Sequence, residues 1–225
     1  MSDLYVYLIR SRNKDNKDIP NFKERTQTIL EYKENEDKVV EEFRRFAVDG
    51  VPGEQTRLYR SVNSRNEEKI REKLVIRLLR DKPSVTKLNR TLASVAQQVE
   101  NRDESKWLFD FDVDDEIIVK NFVDDIFVQT DVDYPIEKIE RHKTPHGYAI
   151  VVPYGFDTRK LMEKWKDYDI TLKRDELLFF GYNHKGVKRV DVWKKEYMII
   201  VYDQQSRMDM FYRSDIFQIH VFHIF

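Results

Sequence analysis

The apolar and polar positions in the first half of the chain change between strand and helix spacing. Leu4 to Arg10 alternates bulky side chains, and Arg25 to Tyr32 carries β-branched residues at every other place, so both stretches predict strands. Apolar residues recur at helical spacing in Glu34 to Phe46. After a break rich in Gly and Pro, the pattern predicts a strand at Thr56 to Val62 and helices at Asn66 to Arg80 and Pro83 to Asn101.

The second half continues with the same mixture of strands and helices. Lys106 to Asp112 predicts a strand, and Asp114-Asp115-Glu116 supplies the negative charge that favours the first turn of a helix ending near Val128. The turn TPHG predicts a hairpin of Ile136 to Arg141 with Gly147 to Val152. The remaining predicted elements are a helix at Asp157 to Trp165 and strands at Ile170 to Lys173, Glu176 to Tyr182 and within Asp191 to Tyr202. The order predicts an α+β fold.

Length and composition set the limits on organisation and location. With 225 residues the chain is long enough for one domain, 1–225, with possible lobes at 1–103 and 104–225. Forty basic and 41 acidic residues nearly cancel, so any basic surface must be local. The absence of Cys excludes disulfides and thiol chemistry and favours a reducing compartment, and no apolar stretch reaches the ~20 residues of a membrane span. We therefore expect a cytoplasmic protein without a membrane partner.

The stretch WLFDFDVDDE holds the first candidate site. Strand alternation places Asp110, Asp112 and Asp114 on one face at the end of an apolar strand. Two close carboxylates repel each other unless a cation lies between them, and carboxylate oxygens are ligands of Mg²⁺ and Mn²⁺. The alternative is a solvated strand end in which Asp114 and Asp115 cap the next helix.

The stretch HKTPHGYAIVVPYGFDTRKLM holds the second candidate site. His146 lies in the TPHG turn, and Arg159 lies at the start of a helix. An imidazole and a guanidinium near a metal would suit a triphosphate. The alternative is an exposed His with an Arg that pairs with Asp157 or Glu163. His142 and His146 are not a zinc pair, because the intervening Thr-Pro forbids a helix.

The stretch TRLYRSVNSRN holds the third candidate. Arg57, Arg60 and Arg65 alternate with aromatic and small polar residues, a composition that can follow a nucleic-acid phosphate backbone. A strand places Arg57 and Arg60 on opposite faces, so only part of this set can act together. The alternative is an ordinary solvated strand edge.

Other parts of the chain narrow the possible functions. The sequence has no P-loop, no dinucleotide-binding glycine fingerprint, no G-x-S-x-G elbow and no H-E-x-x-H motif. The final residues, DIFQIHVFHIF, are apolar and strand-like, so we expect them to be buried, paired or bound to a protein partner.

In chain order, these stretches resemble a group of uncharacterised tailed-phage proteins with R-x-Y-x-S-V-N-x-R, W-x-F-D-x-D and T-P-x-G-Y motifs followed by a P-F-D-T-R-like stretch. The likeness spans roughly Tyr5 to Tyr182. More distantly, the same order is similar to the archaeo-eukaryotic primase and primase-polymerase superfamily. The resemblance implies an RRM-like antiparallel sheet with helices on one face beside an N-terminal α/β lobe.

The resemblance also implies a chemistry. It makes Asp110 and Asp112 the ligands of Mg²⁺ or Mn²⁺ and Asp175 the third carboxylate of a two-metal nucleotidyl-transfer site in DNA replication. A nucleoside triphosphate would contact His146 and Arg159, and a nucleic acid would lie along the arginines of the third candidate. The sequence departs from the superfamily pattern at Ala149, where a His is expected. The alternative implied function is an inactive primase-like fold that binds nucleic acid or a host protein.

Overall fold

The computed structural model describes residues 3–183 and, for the backbone alone, 190–192. Two antiparallel sheets and the helices packed on them confirm the α+β class. In chain order, the strands of this part are β1 (Leu4–Ser11), β2 (Arg25–Tyr32), β3 (Arg57–Ser61), β4 (Trp107–Phe111), β5 (Glu140–Thr144), β6 (Gly147–Val152), β7 (Ile170–Lys173), β8 (Leu177–Asn183) and β9 (Val190–Val192). The α-helices are α1 (Glu36–Val48), α2 (Glu67–Asp81), α3 (Leu88–Ala96), α4 (Glu116–Gln129) and α5 (Arg159–Lys164).

The first sheet has the order β2-β1-β3-β8-β9 and carries helices on both faces. One face packs on α1, where Tyr7 and Leu58 of the sheet meet Phe43 of the helix. The other face packs on α2 and α3, where Val6 meets Ile70 and Val95. Alternation along β1 thus feeds two separate apolar clusters.

The second sheet has the order β5-β6-β4-β7 and carries helices on one face. The chain order β4-α4-β5-β6-α5-β7 is the βαββαβ arrangement in which β4 and β6 are central. Phe109, Phe111 and Phe122 form the centre of the core between this sheet and its helices, with edge-to-face rings. An antiparallel sheet with helices on one face was predicted, and the structure has it.

The helix-free face of the second sheet packs against the first sheet. Leu108, Ala149 and Val151 from the second sheet form one buried cluster with Val62 and Leu178, which lie next to and within the first sheet. The predicted lobes 1–103 and 104–225 do not coincide with the two sheets, because β8 pairs with β3 of the first sheet and β9 pairs with β8. The chain therefore crosses between the sheets twice.

Two predicted elements differ from the observed ones by more than two residues at an end. The strand predicted at 136–141 lies at Glu140–Thr144, because a two-residue loop pairs Thr144 with Gly147 and sets the register of the hairpin. The helix predicted at 83–101 shortens to α3, flanked by 3₁₀ turns at Val85–Lys87 and Val99–Asn101. The buried Asn101 side chain donates to the Val95 carbonyl at 2.7 Å and so satisfies an acceptor at the end of α3.

The apolar C-terminal stretch and most of the strand predicted within 191–202 lie outside the described residues. Within 3–183 and 190–192, no helix is long and apolar enough to cross a membrane.

Candidate functional site

The side chain of Asp110 lies on the helix-free face of the second sheet. Neighbouring Phe109 and Phe111 point into the helix-covered core, so alternation turns Leu108 and Asp110 the other way. Leu108 is buried against the first sheet, whereas the Asp110 side chain keeps 34% of its surface exposed. Asp110 therefore lies at the rim of the contact between the sheets.

A row of four residues crosses the sheet at this position. In the register of the strands, Asp110 is opposite Ala149 of β6 and Thr171 of β7, and Ala149 is opposite His142 of β5. Directly opposed residues in antiparallel strands point to the same face. Position 149, where the primase-like pattern has a His, is therefore the cross-strand neighbour of Asp110.

Asp110 forms an ion pair with Lys173. The lysine Nζ lies 2.8 Å from the Asp110 carboxylate, and both side chains are about one-third exposed. Burial alone lowers the pKa of Lys173, but the hydrogen bond and charge of Asp110, helped by Glu176 and Asp112, outweigh burial and raise it. The ammonium group therefore neutralises the carboxylate that was predicted to bind metal.

The acids that follow Asp110 have separate roles. Asp112 is exposed, and its backbone N–H donates to the Asp169 carbonyl. Asp114 pairs with Lys143 of the neighbouring hairpin. Asp115 is the N-cap of α4, because its carboxylate accepts from the backbone N–H of Ile117 and Ile118. The helix-cap role considered for this stretch is thus present for Asp115, and Asp110 and Asp112 remain as the candidate metal pair.

Asp175 forms a buried ion pair with Arg65. Two guanidinium nitrogens lie 3.0 and 3.2 Å from its two oxygens, and both side chains are 4% exposed. The side-chain amide of Asn63 donates to Asp175 as well, at 3.1 Å. Both carboxylate oxygens are thus bound by side chains next to β3, so Asp175 is held away from the role of third metal ligand.

The TPHG turn packs against the end of β4. A Cβ added to Gly147 would lie 2.1 Å from the Phe111 carbonyl oxygen and 2.8 Å from the Val113 nitrogen, so only glycine permits this approach. The first and second candidate stretches therefore meet through their backbones. His146 itself is exposed at the tip of the turn.

Arg159 lies at the start of α5 and pairs locally. Its guanidinium forms a short ion pair with Asp157, at 2.6 Å, and the Arg159 side chain is 88% exposed. This local pair with Asp157 is the alternative to a triphosphate contact that the sequence left open. Helix α5 packs on the side of the second sheet opposite Asp110, so this fold does not bring Arg159 to the carboxylate face.

The three arginines of the third candidate stretch are all ion-paired. Arg57 lies 2.7 Å from Asp15, and Arg60 lies 2.8 Å from Glu36. With Arg65 held by Asp175, none of the three is a solvated strand-edge residue, and they do not form a continuous basic track. The Arg60 guanidinium also lies over the rings of Phe180 and Tyr5, at 4.9 and 5.0 Å from their centroids.

Arg60 lines a cleft between the two sheets. The cleft is open to solvent and small, with a cavity volume of about 70 Å³, and Tyr5 and Val151 line it from the first and second sheets. Its charged lining combines the basic Lys33, Arg60 and Lys106 with the acidic Asp3 and Glu140. The Nε of Arg60 has no hydrogen-bond partner among the described residues. A larger surface groove, which contains Pro135 and Tyr154, shares Lys106 and Glu140 with this cleft.

The side chains do not fit a two-metal centre. Between residues 3 and 183, no group of three or more His, Cys, Asp or Glu side chains is arranged to hold a metal ion. Asp110 is bound by Lys173 and Asp175 by Arg65, so of the three predicted carboxylates only Asp112 lacks an ion pair in the described part. Asp110 and Asp112 together offer one metal ion at most two protein carboxylates, and Asp110 is available only after Lys173 moves away.

Two residues on the carboxylate face were not predicted from the sequence. Lys173 could have been found, because ITLK predicts a strand and alternation assigns Lys173 and Thr171 to one face. His142 follows from the TPHG turn, because pairing Thr144 with Gly147 puts His142 opposite Ala149. In the structure His142 is nearly buried and lies 3.1 Å from Glu140. His142, and not His146, is therefore the histidine on the Asp110 face.

Comparison of the chain with protein-family models, curated proteins and solved structures gave no match. The likeness to the primase superfamily therefore depends on the sequence motifs that suggested it.

Proposed function

We propose that this chain is a primase-like protein that binds nucleic acid without assembling a two-metal catalytic centre. The βαββαβ order of the second sheet supports the primase-like part of the proposal. The register of β4 and β6 supports it too, because the expected Asp and His positions, 110 and 149, are cross-strand partners. Fold likeness alone does not establish function, so the binding and non-catalytic parts of the proposal depend on the side chains.

The ion pair of Lys173 with Asp110 is the observation that carries the non-catalytic part. A lysine ammonium at 2.8 Å occupies the position next to the carboxylate where a catalytic cation would bind. Ala149 removes the imidazole that the superfamily pattern has beside it, and the Ala149 side chain is buried against the first sheet. Asp112 is then the one expected carboxylate without an ion pair in the described part, and the imidazole of this face belongs to His142, which lies 3.1 Å from Glu140.

The cleft between the sheets is the proposed binding surface. Lys33 and Lys106 supply positive charge at its rim, although Lys106 also pairs with Glu104. Arg60 is already held by Glu36, and the Tyr5 ring is buried. Phosphate contacts need cations, so these two lysines are the proposed contacts to the nucleic-acid backbone. The central strands of the helix-free face present Leu108 and Ala149 rather than aromatics, so binding in the manner of an RNA-recognition motif is not supported.

The test is the binding of a short fluorescent single-stranded oligonucleotide, followed by anisotropy in EDTA and in Mg²⁺. We expect the same affinity in both buffers and a fall in affinity with rising salt. The variant Lys33→Glu/Lys106→Glu should bind at least tenfold more weakly. Lys166→Glu is the matched control, since Lys166 is 62% exposed just after α5, and it should bind like the wild-type chain. No binding, or equal binding by all three proteins, would overturn the proposal.

Nucleotidyl transfer is the second candidate. One observation favours it: Asp112 is exposed two residues after Asp110, at the rim of the same face. Mg²⁺ or Mn²⁺ held by these two carboxylates would supply charge neutralisation for a nucleoside triphosphate. Nucleotidyl transfer requires metal binding that is lost in the Asp110→Asn/Asp112→Asn variant. Nucleic-acid binding in the cleft requires no metal.

A further inference from the structure

The hairpin of α2 and α3 carries exposed apolar residues at its tip. Helix α2 buries Ile70 against the first sheet and turns Val75, Ile76 and Leu79 outward, where they are 51%, 61% and 71% exposed. Val85 in the following connection is 82% exposed. Apolar residues clustered on one exposed surface, unlike single ones, indicate a binding site.

The same tip is basic. Residues 75–92 contain five Lys or Arg and one acid, Asp81, in a chain whose total charge is close to zero. Arg77 and Arg80 both pair with Asp81. The tip therefore combines an apolar surface with a local excess of positive charge, which a partner with apolar residues among acids would complement.

A surface with exposed apolar residues among acids lies at the end of α4. Val128 is 78% exposed, and Val132 in the next turn is fully exposed. Residues 121–133 contain four Asp and no Lys or Arg. Asp124 precedes Val128 by one helical turn and thus shares its face, and Asp131 and Asp133 flank Val132. Asp125 of this stretch pairs with Lys164 of α5, so the remaining acids, Asp124, Asp131 and Asp133, give this surface a charge opposite in sign to that of the α2–α3 tip.

We propose that the chain associates with a second copy of itself head to tail, with the α2–α3 tip of one copy docked on the α4 end of the next. Apolar residues meet in the centre of this contact, and basic and acidic residues meet around it. A contact of two tips would bring like charges together, which costs free energy. Head-to-tail contact is heterologous, so assembly continues beyond the dimer into a ring or an open chain.

Two variants that each lose one surface give a sharp test. Leu79→Glu places an acid on the tip, and Val128→Lys places a cation on the α4 end. Both sites are exposed, so both proteins should fold. Each variant alone should be a monomer of about 27.3 kDa by sedimentation velocity, because each lacks one half of the contact. An equimolar mixture should give a 1:1 dimer and nothing larger, because a single contact can form.

The wild-type chain should increase in mass with concentration, and high salt should reverse the increase. Val48→Glu is the control for adding charge at an exposed apolar site, since Val48 is 53% exposed at the end of α1; it should assemble like the wild-type chain. A wild-type chain that stays monomeric would overturn the proposal, as would a mixture without dimer. Binding of a monomeric chain to vesicles of anionic lipid, lost in Leu79→Glu, would overturn it in favour of a membrane surface.

Discussion

Arg65 and Asp175 are 110 residues apart in sequence and form a buried ion pair with two contacts, at 3.0 and 3.2 Å. Arg65 follows β3 of the first sheet, and Asp175 lies in the connection from β7 of the second sheet to β8 of the first. The pair therefore fixes the point at which the chain crosses between the sheets. It also explains why a carboxylate predicted to bind metal is unavailable for that role.

Replacement of Asp175 by Asn should destabilise the fold by about 3–5 kcal/mol, because it leaves the Arg65 charge buried without its partner. Urea unfolding followed by circular dichroism measures the change. Asp157→Asn is the control: it breaks an exposed pair with Arg159 and should leave the unfolding midpoint unchanged.

Replacing both members by apolar residues, Arg65→Met/Asp175→Leu, should cost less than Asp175→Asn alone, because no unpaired charge then remains buried. If Asp175→Asn unfolds at the wild-type urea concentration, the ion pair does not hold the crossover.

The buried tyrosines predict a loss of stability at alkaline pH. Burial, followed by the charge of Glu36, raises the pKa of Tyr7 above its ordinary value of 10.0. In the unfolded chain this phenol ionises near pH 10, whereas in the folded chain it stays protonated. Its stabilising contribution is therefore complete below pH 10 and decreases as the pH rises above that value.

Tyr7→Phe should therefore show a weaker fall in the free energy of unfolding between about pH 10 and 11 than the wild-type chain. Tyr182→Phe serves as the comparison, because Tyr182 is only half-buried. Equal pH slopes for Tyr7→Phe and the wild-type chain would contradict this assignment.

Position 149 does not have room for the histidine that the primase-like pattern expects. Ala149 is 2% exposed and packs with Val62 and Leu178. Ala149→His should therefore destabilise the fold by about 1–3 kcal/mol through overpacking, measured by thermal or urea unfolding. His146→Ala, at the exposed turn, should have no effect on stability. A stable Ala149→His protein that binds a nucleoside triphosphate would show that the face has kept space for the ligand.

The turn glycine should be intolerant of any side chain. Gly147→Ala places a methyl group 2.1 Å from the Phe111 carbonyl oxygen, so the hairpin must move away from β4. We expect a loss of several degrees in melting temperature, and Gly53→Ser, whose Cβ would meet no atom within 4 Å, provides a comparison at a glycine held only by its positive φ. An unchanged melting temperature for Gly147→Ala would contradict the close approach of the turn to β4.

The sequence predicted strands well where alternation and turn residues agree. The predicted bounds of β2, β6 and β7 are the observed ones, because β-branched alternation or flanking turns mark both ends. Strand β5 reads ERHKT and has no apolar alternation. It is a strand because β6 pairs with it, which is a tertiary cause that local pattern does not contain.

In the candidate site, too, the sequence predicted the local features but not the contacts that depend on strand order. Asp110 was predicted at a strand end on one face, and the structure places it there. Its partner Lys173 depends on β7 lying beside β4, and the partner of Asp175 depends on β8 returning to β3. Strand order in a sheet is not encoded in the spacing of nearby residues, so the pattern predicted the carboxylates but not the cations that neutralise them.

Mn²⁺ titration calorimetry tests the central claim, that Lys173 rather than a metal ion neutralises Asp110. The wild-type chain and the Asp110→Asn/Asp112→Asn variant are titrated with and without a nucleoside triphosphate. We predict that the two proteins give the same trace, with no saturable binding at this face. Saturable binding that the triphosphate strengthens and the double variant loses would contradict the claim and favour nucleotidyl transfer.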